Sequence, residues 1–178
     1  MGGLLIVKLL LQPDIESYVS GAVIQCPALQ VHQESRPSAL MENFARVLEN
    51  WIPKIPLVSG NKGKNCSPSV SVRNEAAITA DPLFYSGLLR IGTGLSMLRA
   101  IEGVQTSFHE IKTPYLLQHG TSDRVCHVDG SSQFHEKTTS VDKTFTRYDE
   151  AQHDLLHEPQ EIVDQVVQDC KDWIVKRC

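Results

Sequence analysis

The sequence predicts an α/β fold, a mostly parallel sheet with flanking helices that carries a long helical insertion. Three observations predict it. Gly21–Cys26 and Pro114–Gly120 are short, continuous apolar runs bounded by turn signals, the pattern of strands covered on both faces. From Pro114 onward, strand and helix patterns alternate to the end of the chain. Between Val31 and Gln105 no clean strand pattern occurs, whereas helical spacing does.

The elements follow in chain order. Gly3–Gln12 is dense in Leu, Ile and Val and stops at Pro13-Asp14, which predicts a helix buried on most sides, with no capping residue before it. Gly21–Cys26 is a strand ended by Pro27. Leu40, Phe44, Val47, Leu48 and Trp51 fall at helical spacing and predict an amphipathic helix over 38–52. Pro53, Pro56 and the polar run Ser59–Asn65 read as loop. Leu88, Ile91, Leu95, Leu98 and Ile101 predict a second amphipathic helix, Leu88 to Ile101. After the strand at 114–120 come a polar helix near 131–138 and a strand near 143–148. Ile162, Val163, Val166, Val167, Cys170, Trp173 and Ile174 repeat at three and four, giving a long helix over 159–176 with Pro159 in its first turn.

Composition bounds the functions. The 178 residues suffice for one domain with a core, and 41% hydrophobic with 21% charged residues is ordinary for a globular protein. A net charge of -4 gives no basic surface for nucleic acid. The five cysteines form no Cys-x-x-Cys, which argues against a zinc ribbon or redox motif and for reduced thiols in a cytoplasmic setting. Met1–Leu11 lacks a basic flank and a cleavage site, and is shorter than the roughly 20 apolar residues that span a bilayer.

The chemistry-bearing residues lie at the end of the chain. Asp123 follows one predicted strand in Gly120-Thr121-Ser122-Asp123-Arg124-Val125, and His153 follows the next in Ala151-Gln152-His153-Asp154-Leu155-Leu156. An acid and a histidine after successive strands are the second half of a Ser…Asp…His order. Taken singly, they read as a turn Asp and a loop His. Asp129 is a rival acid without the surrounding motif, and Ser122 lacks the second glycine of a nucleophile elbow. Cys126 stands on the same loop as Asp123, either as an inert thiol or lining a pocket. His153 and His157 are spaced like a zinc pair, but Pro159 starts the helix too late and no third ligand is near, so no metal or cofactor is expected.

Together these residues resemble the monoacylglycerol lipases of the α/β-hydrolase superfamily and the related serine aminopeptidase S33 (hydrolase-4) group. The resemblance runs through Met1-Gly2-Gly3, Ser71-Val72-Arg73-Asn74, Ala80-Asp81-Pro82-Leu83 with Ser86-Gly87, Thr113-Pro114, His119–Val125, Asp142-Lys143-Thr144 and His153–Pro159. It implies a partial α/β-hydrolase fold in which residues 1–30 and 107–178 form the C-terminal part of the core and 31–106 a helical cap or lid. It also implies a serine ester hydrolase that converts monoacylglycerol to fatty acid and glycerol. Asp123 would orient His153, His153 would act as general base and acid, and the Met1 backbone N–H would donate to the oxyanion. The nucleophile would directly precede Met1. No Gly-x-Ser-x-Gly occurs in the 178 residues, so the chain is expected to be a truncated, inactive form as given. A non-catalytic binding fragment, another esterase and a lysophospholipase are the alternatives. The expected partner is a small lipid ester, with peripheral membrane contact through the apolar cap helices.

Overall fold

The computed structural model describes residues 1–32, 36–58, 80, 82–83 and 87–177. The polar run at 59–65, Cys66, the motif at 71–74, Asp81, Ser86 and Cys178 lie outside the described residues. The elements run α1 (Gly2–Leu10), β1 (Ala22–Gln25), α2 (Ala39–Glu49), β2 (Pro56–Val58), β3 (Leu89–Arg90), α3 (Ile91–Gln105), β4 (Tyr115–Gly120), α4 (Val128–Lys137), β5 (Lys143–Tyr148) and α5 (Gln160–Val175). Short 3-10 turns fall at Ile15–Ser17, Phe108–Glu110 and Leu155–His157.

Among the described residues, β1, β4 and β5 form a parallel sheet in the order β1-β4-β5. Ala22 lies opposite Tyr115, and β5 pairs with β4 from Lys143 opposite Tyr115 to Tyr148 opposite Gly120. Every residue of the central strand β4 is buried. Its alternating side chains serve two layers. Tyr115 and Leu117 join Leu4, Val7, Ile24, Val104 and Phe134 in the main core. Leu116, Gln118 and Gly120 point to the other face, where Gln118 meets α5. The Gln118 side-chain N–H groups donate to Tyr148 OH (2.6 Å) and the Val166 carbonyl (3.1 Å), and its oxygen accepts from Gln25 (2.8 Å) and Cys170 (3.1 Å). All four hydrogen-bonding positions of this buried amide are filled, so it ties three strands to one helix without a desolvation penalty.

The structure corrects several expectations. Helix α1 buries Leu4, Val7 and Leu10 but exposes Leu5 and Leu9, so it covers the sheet with one face and is not buried on most sides. The stretch expected to lack strands holds the antiparallel pair β2 and β3, too short to leave a periodic pattern. Leu89 and Arg90 are drawn into that pair, so α3 starts at Ile91 and runs to Gln105. Helix α4 starts at Val128, earlier than expected, because the His127 imidazole accepts the Asp129 backbone N–H as its cap.

The apolar residues of α2 are suited either to packing on the core or to a lid face, and most of them point outward: Leu40 is 84% exposed, Phe44 59%, Val47 65% and Trp51 83%. The side facing α3 carries Glu42, 9% exposed, between Arg46 (2.7 Å) and Arg36 (3.2 Å). Glu102 of α3 approaches the same two arginines, and Arg99 pairs with Glu49 at 2.7 Å. Ala45 packs with Ile91 and Leu95, and Leu48 and Leu98 flank them. A small residue and compact ion pairs let the two helices approach, and the bulky apolar residues fall on the opposite side of α2.

This arrangement makes opposite demands on two apolar positions. Leu117→Ala, in the centre of β4, is expected to cost about 2–5 kcal/mol. Phe44→Ala is expected to change stability by no more than about 0.5 kcal/mol. Urea denaturation of the two variants measures both, and a large cost at Phe44 would mean that the α2 stripe packs inward.

Candidate functional site

Strands β4 and β5 are parallel neighbours that end level, with Gly120 opposite Tyr148. The loops that follow them therefore leave the carboxyl edge of the sheet side by side, where open α/β sheets place their chemistry. Gly120 permits their contact, since a Cβ there would collide with the carbonyl oxygens of Ala151 and Gln152. The loops are then stitched together. Thr121 N donates to Tyr148 O (3.0 Å), Ser122 N to Ala151 O (2.9 Å) and Glu150 N to Thr121 Oγ1 (2.9 Å). Glu150 turns the second loop with φ 61°, and the buried carboxylate of Glu158 accepts from Gln152 N at 2.9 Å. These contacts present His153.

Asp123 stands at the centre of the junction with its side chain wholly buried. Its Oδ2 lies 2.8 Å from His153 Nδ1 and 3.0 Å from His119 Nε2. Its Oδ1 accepts the backbone N–H groups of Val125 (2.7 Å) and Cys126 (2.9 Å). Four donors occupy the four lone-pair positions of the carboxylate. Burial alone would raise the Asp123 carboxyl. The hydrogen bonds from His119 and His153, the His153 charge and the Cys126 amide outweigh it and hold the group well below the usual carboxylate range. With Nδ1–H of His153 bound to Asp123, Nε2 is the nitrogen left for proton transfer.

His153 lines a cleft of about 620 Å³ with Met1, Gly3, Val23, Cys26 and Leu155. The structure thus brings three expected residues, Asp123, His153 and Met1, to one place. Met1 sits at the cap position of α1, half-exposed, and its carbonyl accepts from Leu4 N and Leu5 N.

The remaining candidates fall elsewhere. Asp129 is an exposed residue of the first turn of α4 whose backbone N–H donates to His127 Nδ1, and its side chain lies by His127, not by His153. Ser122 contributes its backbone N–H to the loop contact. Cys126 is buried in the main core, and its backbone N–H serves the site by donating to Asp123. His157 bonds Asp154 at 2.8 Å and lies on a 3-10 turn with Leu155, so it does not share a helical face with His153. Cys26, strained at φ 39°, puts Sγ within 4.8 Å of ligand atoms of Asp123 and His153. Burial pushes this thiol far up, against a smaller opposing effect of the Gly120 amide, so it is held as the thiol and not as the thiolate that metals bind. The Asp123 lone pairs are already engaged, so the donors of this cluster are committed to hydrogen bonds.

Two residues of the site carry no role in the sequence reading. His119 sits inside an apolar strand run, where a polar residue at a buried position is itself a signal. Glu158 precedes Pro159 and looks like an ordinary helix-start acid; only the fold reveals its bond to Gln152.

Among the described residues, a three-stranded parallel sheet with a buried Asp–His pair at its carboxyl edge is the arrangement expected of the α/β-hydrolase class. The chain is 28% identical to mouse (Mus musculus) monoglyceride lipase over 180 residues, covering 99% of this chain and 56% of that protein. It is 28% identical to Arabidopsis thaliana caffeoylshikimate esterase over 177 residues, covering 98% and 52%. The crystal structure of Paleococcus ferrophilus monoacylglycerol lipase superposes with a TM-score of 0.83 at 24% identity, covering 99% of this chain and 65% of that one. The serine aminopeptidase S33 (Hydrolase_4) family matches residues 1–160, and the chain belongs to it as a monoglyceride-lipase-like α/β-hydrolase. It spans about half the length of the curated relatives it matches.

The lowered Asp123 carboxyl has a consequence for stability. Its folded value lies below that of the unfolded chain, so the ionised group contributes stability above about pH 4. That contribution fades as the pH falls from the unfolded value of about 3.9 toward the folded one. Asp123→Asn is therefore expected to lower Tm at neutral pH, with the gap to the parent closing below about pH 4. Thermal melts across the acid range measure this, and a gap unchanged down to about pH 3 would contradict it.

Proposed function

We propose that this chain is the acid- and base-bearing portion of a serine ester hydrolase acting on monoacylglycerol-like lipid esters. The observation that carries the reading is the 2.8 Å bond between His153 and the buried Asp123, at the edge of a cleft that Met1 also lines. In this reading, His153 Nε2 takes the proton of a serine hydroxyl as the serine oxygen attacks the ester carbonyl. Asp123 fixes the His153 tautomer and stabilises the imidazolium. The proton then passes from His153 to the glycerol oxygen as its bond to the carbonyl carbon breaks, which leaves the acyl–serine. Water, deprotonated by His153, adds to the acyl carbon; the bond to the serine oxygen then breaks, His153 returns the proton to that oxygen, and the fatty acid leaves. The Met1 N–H is the oxyanion donor.

We place the serine on polypeptide that precedes Met1. The 178 residues contain no Gly-x-Ser-x-Gly, and the relatives extend well beyond the matched part. Among the described residues β1 pairs on one side only, with β4, which supports this placement. The cleft is lined by Val23 and Gln25 of β1, Gly3 and Ile6 of α1 and Cys170 and Ile174 of α5, and in this reading a further strand enters there. Residues 31–106 serve as the cap, and the outward stripe of α2 rests on a lipid surface through Leu40, Phe44, Val47 and Trp51. Among the described residues no helix is long and apolar enough to cross a membrane. A binding role without hydrolysis is the second reading, favoured by the lack of an elbow motif in these residues.

A fluorophosphonate probe separates the two. The 178-residue chain is expected to stay unlabelled, whereas the product of the in-frame coding sequence extended upstream of Met1 is expected to label and hydrolyse monoacylglycerol. In that extended protein Asp123→Asn is expected to lower kcat by about 10⁴. An extended protein that remains unlabelled would favour the binding role. The cap is tested on phosphatidylcholine vesicles, where exposed Trp51 emission is expected to shift to the blue. Phe44→Ser is expected to weaken binding about tenfold, and unchanged partitioning would remove α2 from the membrane contact.

A further inference from the structure

Asp123 is shared between two histidines, and the proposed mechanism uses one of them. His119 is completely buried, on the central strand β4, and its ring is held at both nitrogens. Nε2 lies 3.0 Å from Asp123 Oδ2 and 3.1 Å from the Cys126 carbonyl oxygen. A carbonyl oxygen can only accept, so Nε2 carries the hydrogen and points it between two acceptors. Nδ1 lies 2.7 Å from Ser131 Oγ on α4. In the neutral ring Nδ1 must accept, so Ser131 donates to it. The hydrogen bonds therefore run in one direction, from Ser131 to His119 and from His119 to Asp123.

We infer that His119 is a positioning residue that acts on His153 through Asp123: its Nε2–H and the His153 Nδ1–H compete for one carboxylate oxygen. Oδ1 is fixed by the backbone N–H groups of Val125 and Cys126, so the carboxylate stays in place without His119. What His119 controls is the negative charge that Oδ2 presents to His153. A donor on the same oxygen draws charge from it and weakens its pull on the second donor. Ser131, by donating to Nδ1, polarises the ring and strengthens the Nε2–H as a donor to Asp123, so its loss would relax that restraint. His119 thereby limits how tightly His153 holds a proton that it must later give up.

The inference rests on the Asp123–His153 pairing, and its test needs no hydrolysis. The probe is the His153 Nδ1–H resonance in ¹⁵N-labelled 178-residue chain. In His119→Gln the side-chain N–H reaches toward the Nε2 position, and the resonance is expected to stay near its parent value. In His119→Asn the N–H reaches only the Nδ1 side, toward Ser131. The oxygen is then left to His153 alone, and the resonance is expected to move downfield. Ser131→Ala, which leaves both histidines in place, is expected to move it the same way by less, and it carries the test if His119→Asn does not fold. Identical spectra for Gln and Asn at 119 with no shift in Ser131→Ala, or an upfield shift in His119→Asn, would overturn the inference. Asp123→Asn must move the resonance upfield out of the strongly hydrogen-bonded range. If it does not, the Asp123–His153 pairing has failed, not the role of His119.

Discussion

The carboxylate of Asp123 is the point at which the loops after β4 and β5 meet, and most of the site is organised around it. Buried without partners, an ionised carboxylate would be intolerable, and the group would neutralise. Here two backbone N–H groups and two imidazoles surround it, and their bonds more than offset the burial. The donors come from the two loops and the central strand. The charge on Asp123 is thus a condition for the local fold as well as for any chemistry at His153.

The sheet makes that meeting possible. Parallel strands of matched register deliver their loops at the same edge, and Gly120 removes the side chain that would hold them apart. Behind them, Gln118 ties β1 and β5 to α5 through a fully satisfied amide. His119, the next residue of β4, points to the opposite layer and reaches Ser131 and Asp123. One strand therefore carries adjacent buried polar residues with different tasks, one locking the core and one facing the site.

Much of this was legible in the sequence, for identifiable reasons. Strands β1, β4 and β5 and helix α5 are long enough, or apolar enough, for periodicity to reveal them. Asp123 and His153 are readable because an acid and a histidine follow successive strands, the order expected of the later members of a Ser…Asp…His site. Polar residues whose roles depend on distant partners are not legible in this way. His119 needs Ser131 and the Asp123 loop, and Glu158 needs the Gln152 amide. Helix α2 was legible as a helix, but which way its stripe faces was not. Its apolar stripe satisfies the rule for a core-facing helix, but the contact with α3 is made by Ala45 and the pairs of Glu42 with Arg36 and Arg46. A hydrophobic stripe reports that a surface must be covered, not which surface covers it.

The account stands or falls on the ionisation of Asp123. Its carboxyl ¹³C resonance, followed by NMR as the folded chain is acidified, reports that directly. The expected result is a carboxyl still ionised below about pH 3, where ordinary Asp side chains have become mostly protonated. An inflection at about pH 4 or above would contradict it, and would mean that the four donors do not converge on this side chain.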